Sequence, residues 1–220
     1  MRREAKNART LPKPQASGLQ APLLPLVVVV ALSVSAFSAP EPVRISFVAR
    51  VDNVYDPGDG LHEAIHVGDL LQGTITYDPS APDADPRPNV GRYEFRRAPN
   101  GFVVEAGQLV FQTDPNRVDF SVTLSNDEGD PPRDSYVVTS TSNLPLQNGA
   151  SVTRISWQLV DDTHTALAGA ALPGAAPDLR KWKSEFGLTI EGQGTVEYII
   201  RAQVTEAKLC TGAMRCPSPR

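Results

Sequence analysis

This 220-residue chain has only three histidines and two cysteines. Both cysteines, Cys210 and Cys216, fall in the last eleven residues. Two Cys with no His nearby make half a zinc ligand set, which argues against a structural zinc site there. Cationic clusters are lacking as well. The first 38 residues take five of the 21 basic groups and one of the 25 acidic ones, so the remainder carries a net charge of −8. Binding nucleic acid needs clustered cations, so nucleic acid is not expected as a partner. No segment shows a sustained helical stripe, no Ser-His-Asp order stands out, and no Gly-rich loop is placed to cradle phosphate. After residue 37 no long apolar run recurs, which predicts a soluble mature protein with no stable membrane span.

The start of the chain carries a different signal. Residues 1–20 are basic and polar, and Leu23–Phe37 is an apolar run interrupted by Pro25. Ala36 and Ser38 supply the small residues for cleavage before Ala39, and cleavage after Ala36 is the alternative. A basic region, an apolar region and a small-residue site make an export signal. Residues 1–38 are therefore expected to be a signal peptide, residues 39–209 one domain, and 210–220 a tail. The mature protein is expected to be secreted or periplasmic. Export permits a Cys210–Cys216 disulfide, and free thiols in a frayed tail are the other possibility.

The 20 prolines and 16 glycines suit many short strands joined by turns. Period-two alternation predicts strands over Val43–Val51, Leu70–Tyr77, Val118–Leu124, Asp134–Thr141 and Val152–Val160. Shorter strands are expected from Gly91, at Phe102–Glu105 and at Gln108–Thr113. A closing hairpin runs from Phe186 through Glu191-Gly192-Gln193-Gly194 to Val204. Asp52–Gly60 reads as a turn, and Pro99-Asn100-Gly101 as a hairpin signal. The long Ala/Pro-rich connection over Asp161–Lys181 contains one short helical turn near Asp178–Trp182. About ten strands at this spacing predict an all-β, antiparallel sandwich. Spacing does not separate a jelly roll from an immunoglobulin-like sandwich. The number of strands and the uneven connections favour the jelly roll.

One segment organises the chain: Val67–Tyr93, a strand ending in Asp78-Pro79, an acidic Pro-rich loop, and re-entry near Gly91. It carries Gly68, Asp69, Gly73, Tyr77, Asp78, Asp83, Asp85, Pro86, Gly91 and Tyr93, and a later stretch carries Leu172, Pro173, Pro177, Asp178 and Leu179. This pattern resembles a family of exported bacterial β-sandwich proteins often seen with a PEP-CTERM sorting tail. The resemblance spans Val43–Leu209. It implies a β-sandwich and export, with no assigned activity. The family's tail of Pro-Glu-Pro, apolar helix and basic tip has no counterpart in C-T-G-A-M-R-C-P-S-P-R, so simple secretion or periplasmic residence is expected in place of surface sorting.

Residues His62-Glu63-Ala64-Ile65-His66 match H-E-x-x-H, in which two histidines bind zinc and the glutamate activates its water. The chemistry needs a helix. At helical rise the histidines lie about 6 Å apart on one face, and on a strand they lie about 13 Å apart. Gly60 and Gly68 bracket the stretch too closely for two helical turns, and the extended motif's third ligand is missing, since Asp69 and Gln72 stand where Gly and His belong. Zinc is thus not expected, and a zinc-dependent hydrolase using residues 62–66 is the alternative reading. Asp56, Asp59, Asp83 and Asp85 are oxygen donors for calcium if they converge, but their spacing is that of turns. Trp157, Trp182 and the tyrosines are the sugar-stacking candidates. Trp157 alternates with Ile155 and Leu159 and reads as core, so Trp182, between two lysines, is the one expected at the surface. No catalytic, cofactor or metal residue is assigned. The expectation is a non-catalytic binding or structural module of the cell surface or extracellular matrix, with polysaccharide or matrix protein as partner.

Overall fold

The computed structural model describes residues 41–182, 187–193, 197–210 and 216. The expected leader 1–38 and its cleavage point lie outside these residues, as do Phe186, Gly194 and Val196 of the closing hairpin. Ten strands follow one another: β1 (Val43–Tyr55), β2 (Leu70–Tyr77), β3 (Val90–Phe95), β4 (Gly101–Ala106), β5 (Leu109–Gln112), β6 (Phe120–Glu128), β7 (Arg133–Ser140), β8 (Arg154–Asp161), β9 (Leu188–Gly192) and β10 (Tyr198–Leu209). The only helical element among the described residues is a 3₁₀ turn, Leu179–Lys181, capped by the Asp178 side chain where a short turn is expected.

All ten strands join one antiparallel sheet in the order β3-β6-β7-β8-β9-β10-β1-β2-β4-β5. Alternation explains which face turns inward. β7 alternates buried Asp134, Tyr136, Val138 and Ser140 with half-buried residues, and β8 does the same with Ile155, Trp157 and Leu159. The sheet curls so that its inner face meets itself across the core. Phe47 of β1 lies 5.5 Å from Trp157 of β8, and Phe102 of β4 lies 5.7 Å from Phe120 of β6, centroid to centroid. Each large side chain removed from water in this way contributes roughly 1.5–3 kcal/mol.

Two local expectations fail, for related reasons. β1 does not stop at Val51. It continues to Tyr55 through a register shift between Val51 and Asn53. The extra residue breaks the alternation, leaving both Asp52 and Asn53 exposed, and the sequence pattern then imitates a turn. Pro99-Asn100-Gly101 is no hairpin either. β3 pairs with β6, while β4 pairs with β2 and β5. The chain crosses from β2 to the far edge of the sheet and back, which local turn chemistry does not encode.

Both sheet edges are covered. Along β3 the acidic loop supplies Ala84 N–H to the Arg92 carbonyl, and Asp83 accepts the Arg92 N–H. Along β5, Leu144 N–H donates to the Gln112 carbonyl and Thr113 bridges to Asn143. These contacts occupy backbone groups that otherwise template pairing with another chain.

Candidate functional site

The H-E-x-x-H stretch is not helical. Residues 61–63 form a turn, and His62 and Glu63 have left-handed backbone, with φ of 51° and 53°. Leu61 and Ile65 are the buried anchors, and the histidines point out, their side chains 67% and 70% exposed. Each histidine faces its own carboxylate. His62 Nδ1 lies 3.5 Å from Asp59, and His66 Nδ1 lies 3.9 Å from Asp69. The one-turn helical geometry that puts two imidazoles on one ion is missing. Among the described residues no group of three His, Cys, Asp or Glu is arranged to hold a metal.

The four aspartates weighed for calcium do not converge. Asp56 follows the end of β1 and accepts the N–H groups of Gly60 and Leu61. Asp83 and Asp85 follow Tyr77, which pairs with Val43 at the other end of β1. The two pairs thus lie toward opposite ends of β1, a strand of 13 residues. Within its own loop Asp85 is held at about 2 by hydrogen bonds from the Arg87 side chain and backbone.

The Gly/Asp/Tyr pattern of the organising segment builds a latch. Tyr77, at the end of β2, donates its hydroxyl to the Pro173 carbonyl at 2.8 Å. Tyr93, on β3, donates to the Ala170 carbonyl at 3.0 Å and accepts Leu172 N–H at 3.0 Å. The two sequence stretches thus meet through two tyrosines, which pin the connection from β8 to β9 against the sheet. Burial pushes the Tyr77 phenol up to about 12, so Tyr77 remains a donor at neutral pH. Gly91 leaves room for this seam, because a Cβ there would overlap the Ala170 carbonyl. Gly73 likewise admits the Phe47 ring, which a Cβ would strike.

Two buried carboxylates complete the latch; sequence reading treats Asp134 only as a strand residue and Asp161 only as the start of the connection, whereas Asp161 is the last residue of β8. Asp134 and Asp161 are cross-strand partners on β7 and β8, both fully buried. Asp134 accepts the N–H groups of Asp127 and Leu167. Asp161 accepts N–H from Thr163, Thr165 and Ala166 and the Thr163 hydroxyl. The one available signal is local: Asp161 begins D-D-T-H-T, an arrangement in which an Asp captures backbone donors just ahead of it.

Trp182 is buried, 8% exposed, against expectation. Its flanking lysine pattern suggests the surface, yet the ring packs into the core after the 3₁₀ turn. Trp157 is fully buried as expected. Neither forms a surface stacking platform.

A polar recess of about 360 Å³ lies on the outer face of β7–β10. Its floor is a cross-strand row of short hydroxyl side chains: Thr139 of β7 pairs with Ser156 of β8, and Ser156 with Thr189 of β9. Longer side chains form its rim, among them Arg154, Gln158, Glu191 and Arg201. Thr139, Ser156, Gln158 and Thr189 are only half-exposed, although they lie on the outer face. None of these four makes a side-chain hydrogen bond among the described residues. Arg154 is paired with Glu191, while Arg201 has no ion pair there. The arrangement offers unspent donors and acceptors in a shielded trough. It contains no histidine, cysteine or activated nucleophile.

Comparison with protein families, with curated proteins and with solved structures finds no match.

Proposed function

We propose that this is an exported, non-catalytic binding or structural module of the cell surface or extracellular matrix, secreted or periplasmic, whose partner is polysaccharide or matrix protein. The observation that carries the reading is the outer-face recess, where hydroxyl and amide groups are half-shielded yet have no side-chain hydrogen-bond partner among the described residues. Polar groups in that state serve recognition better than stability, because hydrogen bonding to a ligand restores what partial burial removes.

Further support comes from the leader-like first 38 residues and from the Cys210–Cys216 disulfide, a bond suited to oxidising compartments. No helix among the described residues is long and apolar enough to cross a membrane. We read the packing as a jelly-roll-like sandwich made from one curled sheet, supported by aromatic contacts that join β1 and β4 to β8 and β6 across the core.

The test is a binding screen of residues 39–220, prepared by export, against a broad panel of glycans and extracellular matrix proteins. Reproducible, saturable binding to a member of either class is expected. Silence across both classes defeats the reading.

A further inference from the structure

Strand register extends the recess beyond its own rim. The floor row continues from Thr189 of β9 to Arg201 of β10 and on to Asn53 of β1. A second row runs beside it on the same outer face: Arg154 of β8, Glu191 of β9, Ile199 of β10 and Tyr55 of β1. Val54 packs inward, partly buried against the core, so its neighbours Asn53 and Tyr55 face outward. The bulge at Asp52 sets this phase. Tyr55 is 50% exposed, and among the described residues it is the exposed aromatic.

Resting on the binding-module reading above, we propose that a neutral oligosaccharide chain binds across this face, from the Thr139–Ser156–Thr189 hydroxyls to the Tyr55 ring. Five strands at strand spacing give a track about 19 Å long, enough for several linked sugars. The chemistry suits a sugar polymer. A row of free hydroxyls with one amide meets its hydroxyl edges, a guanidinium–carboxylate pair supplies planar donors and acceptors, and an exposed ring beside Ile199 takes its apolar face. Charge selects the neutral class. Arg154 and Arg201 balance Asp52 and Glu191 within the site, while the chain beyond residue 38 carries −8 and repels polyanions. A repeating ligand also matches a site built from a repeating lattice.

The experiment uses the exported protein in titrations with cellohexaose, xylohexaose and mannohexaose, with an oligogalacturonate as the anionic comparator. Binding is followed by calorimetry and by amide chemical shifts. At least one neutral hexaose is expected to bind, with shifts confined to β7–β10 and the Tyr55 end of β1. Tyr55→Ala is expected to weaken it about tenfold. Ser156→Phe, which fills the floor, is expected to abolish it. Thr189→Val removes a hydroxyl at nearly constant shape and is expected to weaken binding measurably while leaving the melting temperature unchanged. Neutral binding that survives all three substitutions overturns this site and leaves the module reading standing. Binding only to the anionic oligomer, or only to a protein partner, overturns the neutral-glycan inference and again leaves that reading intact. No binding to any glycan or matrix protein overturns both.

Discussion

Removing a single oxygen atom, in Tyr93→Phe, tests whether the latch holds the β8–β9 connection to the sheet. The Tyr93 hydroxyl serves two partners at 3.0 Å each, the Ala170 carbonyl and the Leu172 N–H. The ring itself is buried, 5% exposed, so the phenylalanine keeps its packing. Leu172 is half-buried and its bond to Tyr93 only part-buried, so its amide can turn to water, which limits its loss to about 1 kcal/mol. Ala170 is buried, and its stranded carbonyl costs about 1–2 kcal/mol more. The sum is about 2–3 kcal/mol, a fall of roughly 4–12 °C in Tm for a domain of this size. Urea unfolding gives the global value. Hydrogen exchange gives the local one, with the bonded amides of Leu167 and Leu172 expected to lose protection while those of β7 and β8 keep theirs. A loss under about 0.5 kcal/mol, the ordinary range for an inconsequential surface change, together with unchanged exchange at Leu172, would refute the latch.

Three further outcomes are expected. Gly73→Ala drives a methyl into the Phe47 ring and disturbs its contact with Trp157, lowering stability by about 1–3 kcal/mol with an altered near-ultraviolet signal from Trp157; wild-type stability and signal would show that the site can relax. Burial alone would raise the Asp161 carboxyl, but hydrogen bonds from Thr163 and Thr165 outweigh it and hold the group below its ordinary value. A carboxyl lowered in the folded state contributes stability that is full above its unfolded pKa of about 4 and is lost as pH falls below it. Asp161→Asn should therefore flatten the acid limb of stability against pH, as read by urea unfolding between pH 7 and pH 2, and an unchanged limb would count against the assignment. Elemental analysis of protein never exposed to chelator should find no stoichiometric zinc, because His62 and His66 sit in separate turn contacts; one zinc per chain lost in His66→Ala would mean that the turn rearranges around metal.

The strands were readable because a half-buried strand writes its burial directly into alternation. Leu70–Tyr77 is bounded as β2 at the residues the pattern marks, and β7 and β8 differ from expectation by one or two residues at their ends. Legibility ended where a residue's surroundings came from elsewhere in the chain. Trp182 looked exposed from its neighbour Lys181, but the core beneath it is built by distant strands. The H-E-x-x-H letters were present, and the bracketing glycines already argued against the helix that they need. The recess was invisible, since Thr139, Ser156 and Thr189 are ordinary outward residues on three strands and become one row only through register. Tyr55 was hidden twice, inside an apparent turn and beyond a bulge.

By itself the sequence determined the number of strands, which of their faces turn inward, and a leader-like start followed by an acidic remainder. These follow from local period, composition and charge, which need no knowledge of partners. Tertiary structure alone decided that β3 crosses to the far edge, that the Tyr77 and Tyr93 hydroxyls meet residues 170–173, and that Asp134 stands opposite Asp161. It also decided which outward side chains share a trough. Each of these is a long-range pairing, and a chain's local pattern fixes which face a residue presents without fixing which strand comes to lie beside it.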